Sequence, residues 1–305
     1  MPAGFQVPTS GGGLNLRVTD GLGNALAHTG DLFTTGLELT DVSGTQGSLT
    51  EFNATSGTNI AFIAYDMQLV DSVSASEQHV NVAEVLTYSH REGGADHADP
   101  GEHVNAASVV TTAPVVDKQI VDTSHDTVNN DEGEVVIGEI VTYEVTVTIP
   151  EGEHENVSIT DVLDPGLAFV DFLGVTAVSP GLSSSLGALN TANGFISNGA
   201  TAETAGTILS LGFGTPGLGT VINADRDNTQ AETVTFQYRA VALNVVGNQD
   251  GQQLFNTATF QWDTDSGTTS VSDTDTGVTV IEPNIAIDKT VSNPSAMTDE
   301  TVTYD

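Results

Sequence analysis

The chain has 305 residues, of which 41 are acidic and 6 basic, giving a formal charge of −35 at pH 7. Such a surface repels nucleic acids and anionic membranes, which excludes both as partners and leaves cations as its natural company. With 38% apolar residues the chain can build packed cores, and its length predicts about two domains.

Cysteine is absent. No disulfide can stiffen the fold, and an acidic texture rich in Thr, Ser, Gly and Val fits a secreted or cell-surface protein that needs another staple. No run of about 18 apolar residues occurs, and the N-terminus lacks a basic and apolar leader. Membrane insertion is therefore not expected of this segment, and an export signal is expected outside it.

Apolar residues recur with period two rather than 3.6. Early runs at 61–65 and 85–88 lead to the clearest one, where Val141, Tyr143, Val145, Val147 and Ile149 alternate with Thr142, Glu144, Thr146 and Thr148 until Pro150 stops the pattern. That alternation predicts a half-buried strand. Similar runs follow at 157–159, 234–238, 254–260 and 278–280, separated by clusters of Gly, Asn and Asp. The predicted fold class is all-β, an antiparallel sandwich.

The segments recur in order, which reveals the building unit. Val7-Pro8 followed by LNLRVTDGLGNAL (14–26) is echoed by Ile149-Pro150 followed by VSITDVLDPGL (157–167). FIAYDMQLVDSV (62–73) is matched to FQYRAVALNVV (236–246), HVNVAEVLTY (79–88) to LFNTATFQW (254–262), and AASVVTTAPVVDK (106–118) to GVTVIEPNIAIDK (277–289). GEIVTYE (138–144) is matched to DETVTYD (299–305). The expected organisation is a repeat lacking its first strands at 1–112, a complete repeat at 113–282, and the first strands of a following repeat at 283–305.

Three residues break the apolar alternation of the complete repeat. Lys118 lies between Val116 and Ile120, Asp161 between Ile159 and Leu163, and Asn256 between Leu254 and Ala258. Three separately buried polar groups each cost several kcal/mol unless satisfied, so they are expected to meet. Burial favours a neutral amine and a protonated acid. The amine can then attack the Asn256 carbonyl while Asp161 polarises that oxygen and relays protons, releasing ammonia and leaving a Lys118–Asn256 isopeptide. The only other lysine, Lys289, stands in the same phrase, Ile-Asp-Lys for Val-Asp-Lys. In the first repeat Asp20 and Asn81 take the matching places. Asp161 has a competing local role as the cap of the turn at Asp164-Pro165-Gly166.

The sequence Lys118 … GEIVTYEVTVTIP … VSITDVLDPGLAFV … LFNTATF resembles the isopeptide-forming repeats of bacterial fimbrial and surface-adhesin proteins, the collagen-adhesin A-type immunoglobulin-like sandwich and its relatives in tandem arrays. The resemblance implies tandem immunoglobulin-like sandwiches in which a first-strand lysine joins a late-strand asparagine beside a catalytic carboxyl. Those roles map onto Lys118, Asn256 and Asp161.

Acidic loops form a second constellation. Asp263, Asp265, Asp273 and Asp275 precede the third repeat, and Asn223, Asp225, Asp227 and Asn228 cluster in another loop; oxygen ligands of this kind suit calcium at a domain junction or simply a solvated hairpin. His90, His97 and His103 with Asp96, Asp99 and Glu102 are a weaker set for a transition metal. No nucleophile elbow, phosphate loop or HExxH motif supports catalytic turnover, and no cofactor is required. The sequence reads as a structural segment of an extracellular filament, stalk or long adhesin, assembled head to tail with copies of itself or flanked by further repeats of one chain. The alternative is a ligand-binding adhesin module, for carbohydrate or a host surface. If subunits donate C-terminal strands to a neighbour, Lys289 of one copy is expected beside Asp20 and Asn81 of the next.

Overall fold

The structure, a computed structural model, describes residues 1–40, 49, 57–89, 94–99, 101–125, 130–131, 133–190, 196–198, 204–212, 217–226, 231–282 and 287–304. All its regular elements there are β-strands, and among the described residues no helix is long and apolar enough to cross a membrane. The strands pair antiparallel, except that Glu134–Val135 runs parallel to Val278–Val280.

The strands between Val115 and Thr274 form a two-sheet sandwich. One sheet has the order Leu167–Val178, Thr233–Ala242, Ile140–Thr148, Val115–Thr123. The other is organised around the long strand Gly152–Val162, which pairs with Gly219–Asn223 and Ile208–Gly212 along one edge and with Thr257–Thr264 along the other. Thr257–Thr264 then forms a hairpin with Gly267–Thr274. Period-two burial follows the sequence: Val141, Tyr143, Val145 and Val147 face the core, as do Phe236, Tyr238, Val157, Ile159, Ala258, Phe260 and Trp262. Their threonine and glutamate neighbours are only partly covered, as expected of sheets with one wet face.

Residues 1–112 form two-stranded pieces among the described residues. Phe5–Gln6 pairs with Gln68–Leu69, Arg17–Asp20 with Ala61–Ala64, and Gln78–Glu84 with Val104–Val110. Phe62, Val82, Leu86 and Val110 are exposed there. The pairing corrects one of the sequence matches. Asp20 lies opposite Ala61 as Asp161 lies opposite both Leu209 and Ala258, so 61–64 pairs directly with the aspartate strand, which the tyrosine strand at 236–246 does not. Periodicity misled here because both candidate strands alternate apolar residues around one tyrosine. The C-terminal match is repeated in the pairing: Val291 bridges Tyr304 as Ile120 pairs with Tyr143, and the Nζ of Lys289 lies 4.5 Å from the Tyr304 ring centre, as that of Lys118 does from Tyr143.

Residues 73–75 pack against 152–154 and Trp262 at a buried polar junction. Trp262 Nε1 donates to the Ala75 carbonyl at 3.0 Å, and the Glu153 amide donates to the Val73 carbonyl at 3.1 Å. Gly152, at φ +126°, brings its backbone so close that a Cβ there would collide with the Val73 oxygen. His154 is fully buried; its Nδ1 faces the Ala75 amide at 3.2 Å and its Nε2 the Pro150 carbonyl at 2.9 Å. Because an amide only donates and a carbonyl only accepts, the proton must sit on Nε2.

Burial holds the His154 pKa below the usual histidine value, against the raising effects of the Pro150 carbonyl and Glu77. The unfolded chain therefore takes up a proton before the folded one, and the junction is expected to lose stability as pH falls below about 6.5. Trp262 is the only tryptophan, so its fluorescence reports the junction directly. We expect an emission change on acidification that Gly152→Ala reproduces at neutral pH; a signal unchanged by either sinks this reading.

Candidate functional site

The alternation that buries Val116 also turns Lys118 inward, and the residue pairs in register with Val145 of the neighbouring strand. Its amine ends 4.5 Å from the Tyr143 ring centre and 4.9 Å from that of Tyr238. The strand Gly152–Val162 delivers Asp161 from the opposite sheet, and Lys118 Nζ donates to its Oδ2 at 2.7 Å. Tyr238 OH lies 2.6 Å from the same nitrogen and also accepts from Asn256 Nδ2. The amine and the Asn256 side chain thus share one oxygen, which places them within roughly 6 Å of each other. Lys118, Asp161 and Asn256 are 4%, 2% and 1% exposed, so the three sequence misfits meet in a site that admits no outside substrate.

Burial lowers the Lys118 pKa, outweighing the pull of the Asp161 carboxylate, and so increases the share of nucleophilic amine. Tyr238 is pushed well above the usual tyrosine value, first by burial and then by the Asp161 charge, so it keeps its proton. Asp161 does not cap the turn that follows: the Gly166 amide donates to Asp164 at 2.7 Å instead. Buried oxygens without a hydrogen-bond partner cluster here, namely Asp161 Oδ1, Asn256 Oδ1, Asp275 Oδ2 and Tyr143 OH.

Two residues of the site were not singled out as such by sequence reasoning. Tyr238 sits in an alternating apolar run and reads as ordinary core. Asp275 reads as part of an acidic loop, but it is 4% exposed and its amide donates to the Asn256 carbonyl at 3.1 Å. Asp273, two residues earlier, accepts from the Lys118 amide at 2.8 Å and fastens the lysine strand to the hairpin. The signal for Asp275 is its place across the hairpin from Asn256, one step beyond the Thr257–Thr274 pair.

The other acidic positions do not converge with these. Asp263 is held by Asn156 and Thr268, and the Asp265 amide donates to Glu77. Asp263 pairs with Thr268 and Asp273 with Ala258, at opposite ends of one hairpin and roughly 17 Å apart at the usual strand rise. Asp96 accepts from the Tyr88 and Ala98 amides, while the rings of His97 and His103 flank Tyr88. His90, Asp227 and Asn228 lie outside the described residues. No group of three or more His, Asp or Glu among the described residues is arranged to hold a metal ion.

In the first repeat the matching residues go to different partners. Asp20 accepts from the Leu22 and Asn24 amides and from Asn24 Nδ2, closing its own turn. Asn81 Nδ2 donates to Tyr65 OH, the same pair of groups as Asn256 and Tyr238. Lys289 is exposed, in the C-terminal segment.

No protein-family model and no curated protein matches the chain. Among solved structures it is similar to BcpA, the major pilin subunit of Bacillus cereus, at 12% identity and TM-score 0.31, covering 87% of this chain and 63% of that one. It is similar to the full-length major pilin SpaD of Corynebacterium diphtheriae at 15% identity and TM-score 0.32, covering 88% and 62%. A 35 kDa C-terminal fragment of the major pilin GBS80 of Streptococcus agalactiae aligns at 14% identity and TM-score 0.30, over 55% and 56%. The chain spans less than two thirds of the length of each of these pilins.

Burial raises the Asp275 pKa to about 6, against the lowering effects of the Gly277 amide and Lys118. A raised acid is favoured in its protonated form by the fold, so stability falls as pH climbs through the window from about 4 to 6 and stays lower above it. Asp275→Asn removes that liability. Its advantage over the parent is expected to grow by about 3 kcal/mol between pH 4 and pH 8, read from unfolding midpoints. A pH-independent difference counts against a buried neutral Asp275.

Proposed function

We propose that this chain is a segment of an extracellular filament, stalk or long adhesin, built of sandwich domains end to end and stiffened by a Lys118–Asn256 isopeptide bond. One observation carries the proposal: a desolvated amine, a carboxyl and a carboxamide meet in a buried core, joined through Tyr238. The amine attacks Asn256 Cγ, a C–N bond forms, the Cγ–Nδ2 bond breaks, and one proton moves from Nζ to the departing nitrogen, which leaves as ammonia. Nothing external is consumed. The reaction happens once per domain and is not turnover.

A closed site argues against the ligand-binding reading as the role of these residues, since a ligand needs a concave surface. Two surface clefts among the described residues lie elsewhere, beside Asn15 and Asp66 and along the junction of 73–75 with 152–154. The repeated Lys–Tyr stack at the C-terminus supports a tandem array, with the next unit started in the same register.

Intact mass tests the bond. Folded wild-type chain is expected to weigh one ammonia less than its sequence, and Lys118→Ala and Asp161→Ala to weigh the full amount. The bond closes a loop of 138 residues (256 − 118) and is expected to stabilise the domain by roughly 5 kcal/mol, as a long-loop disulfide does. Full mass in folded wild-type protein would end the cross-link proposal.

A further inference from the structure

Asn256 and Asp275 extend the register of the hairpin by one step beyond Thr257 and Thr274, whose hydroxyls meet at 2.8 Å. They are direct cross-strand neighbours on the core-facing side, where opposing Cβ atoms lie about 5 Å apart. The Asp275 amide donates to the Asn256 carbonyl, as expected of such a pair. Each also presents a buried side-chain oxygen with no hydrogen-bond partner, Asn256 Oδ1 and Asp275 Oδ2. Two lone acceptors side by side in a dry core are costly, and one proton between them satisfies both.

We propose that Asp275 is the acid of this site, carrying a proton on Oδ2 that is hydrogen-bonded to Asn256 Oδ1 and polarises the carbonyl under attack. The inference rests on the cross-link reading and deepens it by dividing the work between two carboxyls. Asp161, bonded to Lys118 Nζ, takes the proton that the attacking amine sheds. Tyr238, which touches Nζ, Nδ2 and the Asp161 carboxyl, gives its proton to the departing nitrogen and takes back the one that Asp161 received from the amine, so both end as they began. Asp275 lends its proton to the carbonyl oxygen as the tetrahedral adduct forms and recovers it when the adduct collapses. The sum is one amide formed, one amide broken and one ammonia released. Asp161 is therefore spared the double duty of holding the amine and polarising an oxygen to which it makes no bond.

The charged and titratable groups around Asp275 bear on its proton from each side. Lys118 and Tyr143 face it from two adjoining strands of the opposite sheet, Asp161 stands two strands away in its own sheet, and Asp273 lies two residues before it. Lys118 favours the ionised form. Burial and Asp161 favour the neutral one, and burial dominates.

The test uses the full chain, recovered unfolded and therefore unlinked, refolded by dilution and followed by intact mass over time at several pH values. Wild type is expected to lose ammonia at a rate that falls as pH rises past about 6, the value at which Asp275 ionises. Asp275→Asn keeps size and a hydrogen-bond donor but cannot transfer the proton, and is expected to slow linkage by about 100-fold and abolish the falling limb. Asp275→Glu is expected to restore the limb. A wild-type rate that only rises to high pH, or Asp275→Asn linking at the wild-type rate, overturns the role of Asp275 while leaving the bond standing. Wild type that folds with its full mass overturns the bond itself, and this inference with it.

Discussion

Removing the Lys118 amine from water is the constraint on which the complete domain is arranged. An isolated ammonium in an apolar core costs many kcal/mol, and proteins escape by pairing it or by letting it lose its proton. Both routes are visible here: Asp161 bonds the nitrogen from the facing sheet, two tyrosine rings cover it, and desolvation shifts it toward the neutral amine. Four strands must be in register for those groups to coincide. The site consequently selects one alignment of the two sheets, since a slip of a single residue turns Lys118 or Asp161 out to solvent.

The strands and the meeting of Lys118, Asp161 and Asn256 were legible because period two is a one-dimensional property: a polar residue at an inward position announces itself without any knowledge of the partner strand. Tyr238 and Asp275 were not legible for the opposite reason. A tyrosine at an inward position breaks no pattern, and Asp275 lies in a run of alternating acidic and hydroxyl residues whose inward side becomes known only once Gly267–Thr274 is paired with Thr257–Thr264. The mismatch over 61–64 has the same origin. Which strand lies beside which is long-range information, and two similar alternating runs cannot be told apart until the ladder is drawn.

Asp20 shows how local chemistry overrides a repeat. It stands where the repeat sets Asp161, yet Asn24 four residues on offers a nearer set of donors, and the aspartate closes a turn rather than reaching across a sandwich. Without a lysine beside it, an inward carboxylate has no reason to remain unbonded. The Asn81–Tyr65 pair persists because it satisfies itself.

The scarcity of cations carries a further consequence for a chain exposed to its surroundings. A protease of tryptic specificity needs an accessible Lys or Arg in an extended, yielding segment, and only six such residues occur. Lys118 is sealed in the core, and Arg239 sits mid-strand with its guanidinium forked onto Asp171 at 2.6 and 2.7 Å. Arg226, at the rim of the junction cleft and bonded to Asp71, is left as the accessible basic site of the complete domain. An amine turned inward is hidden from cleavage as well as from water, so the composition that makes the surface uniformly acidic also leaves it nearly blank to an enzyme that reads positive charge.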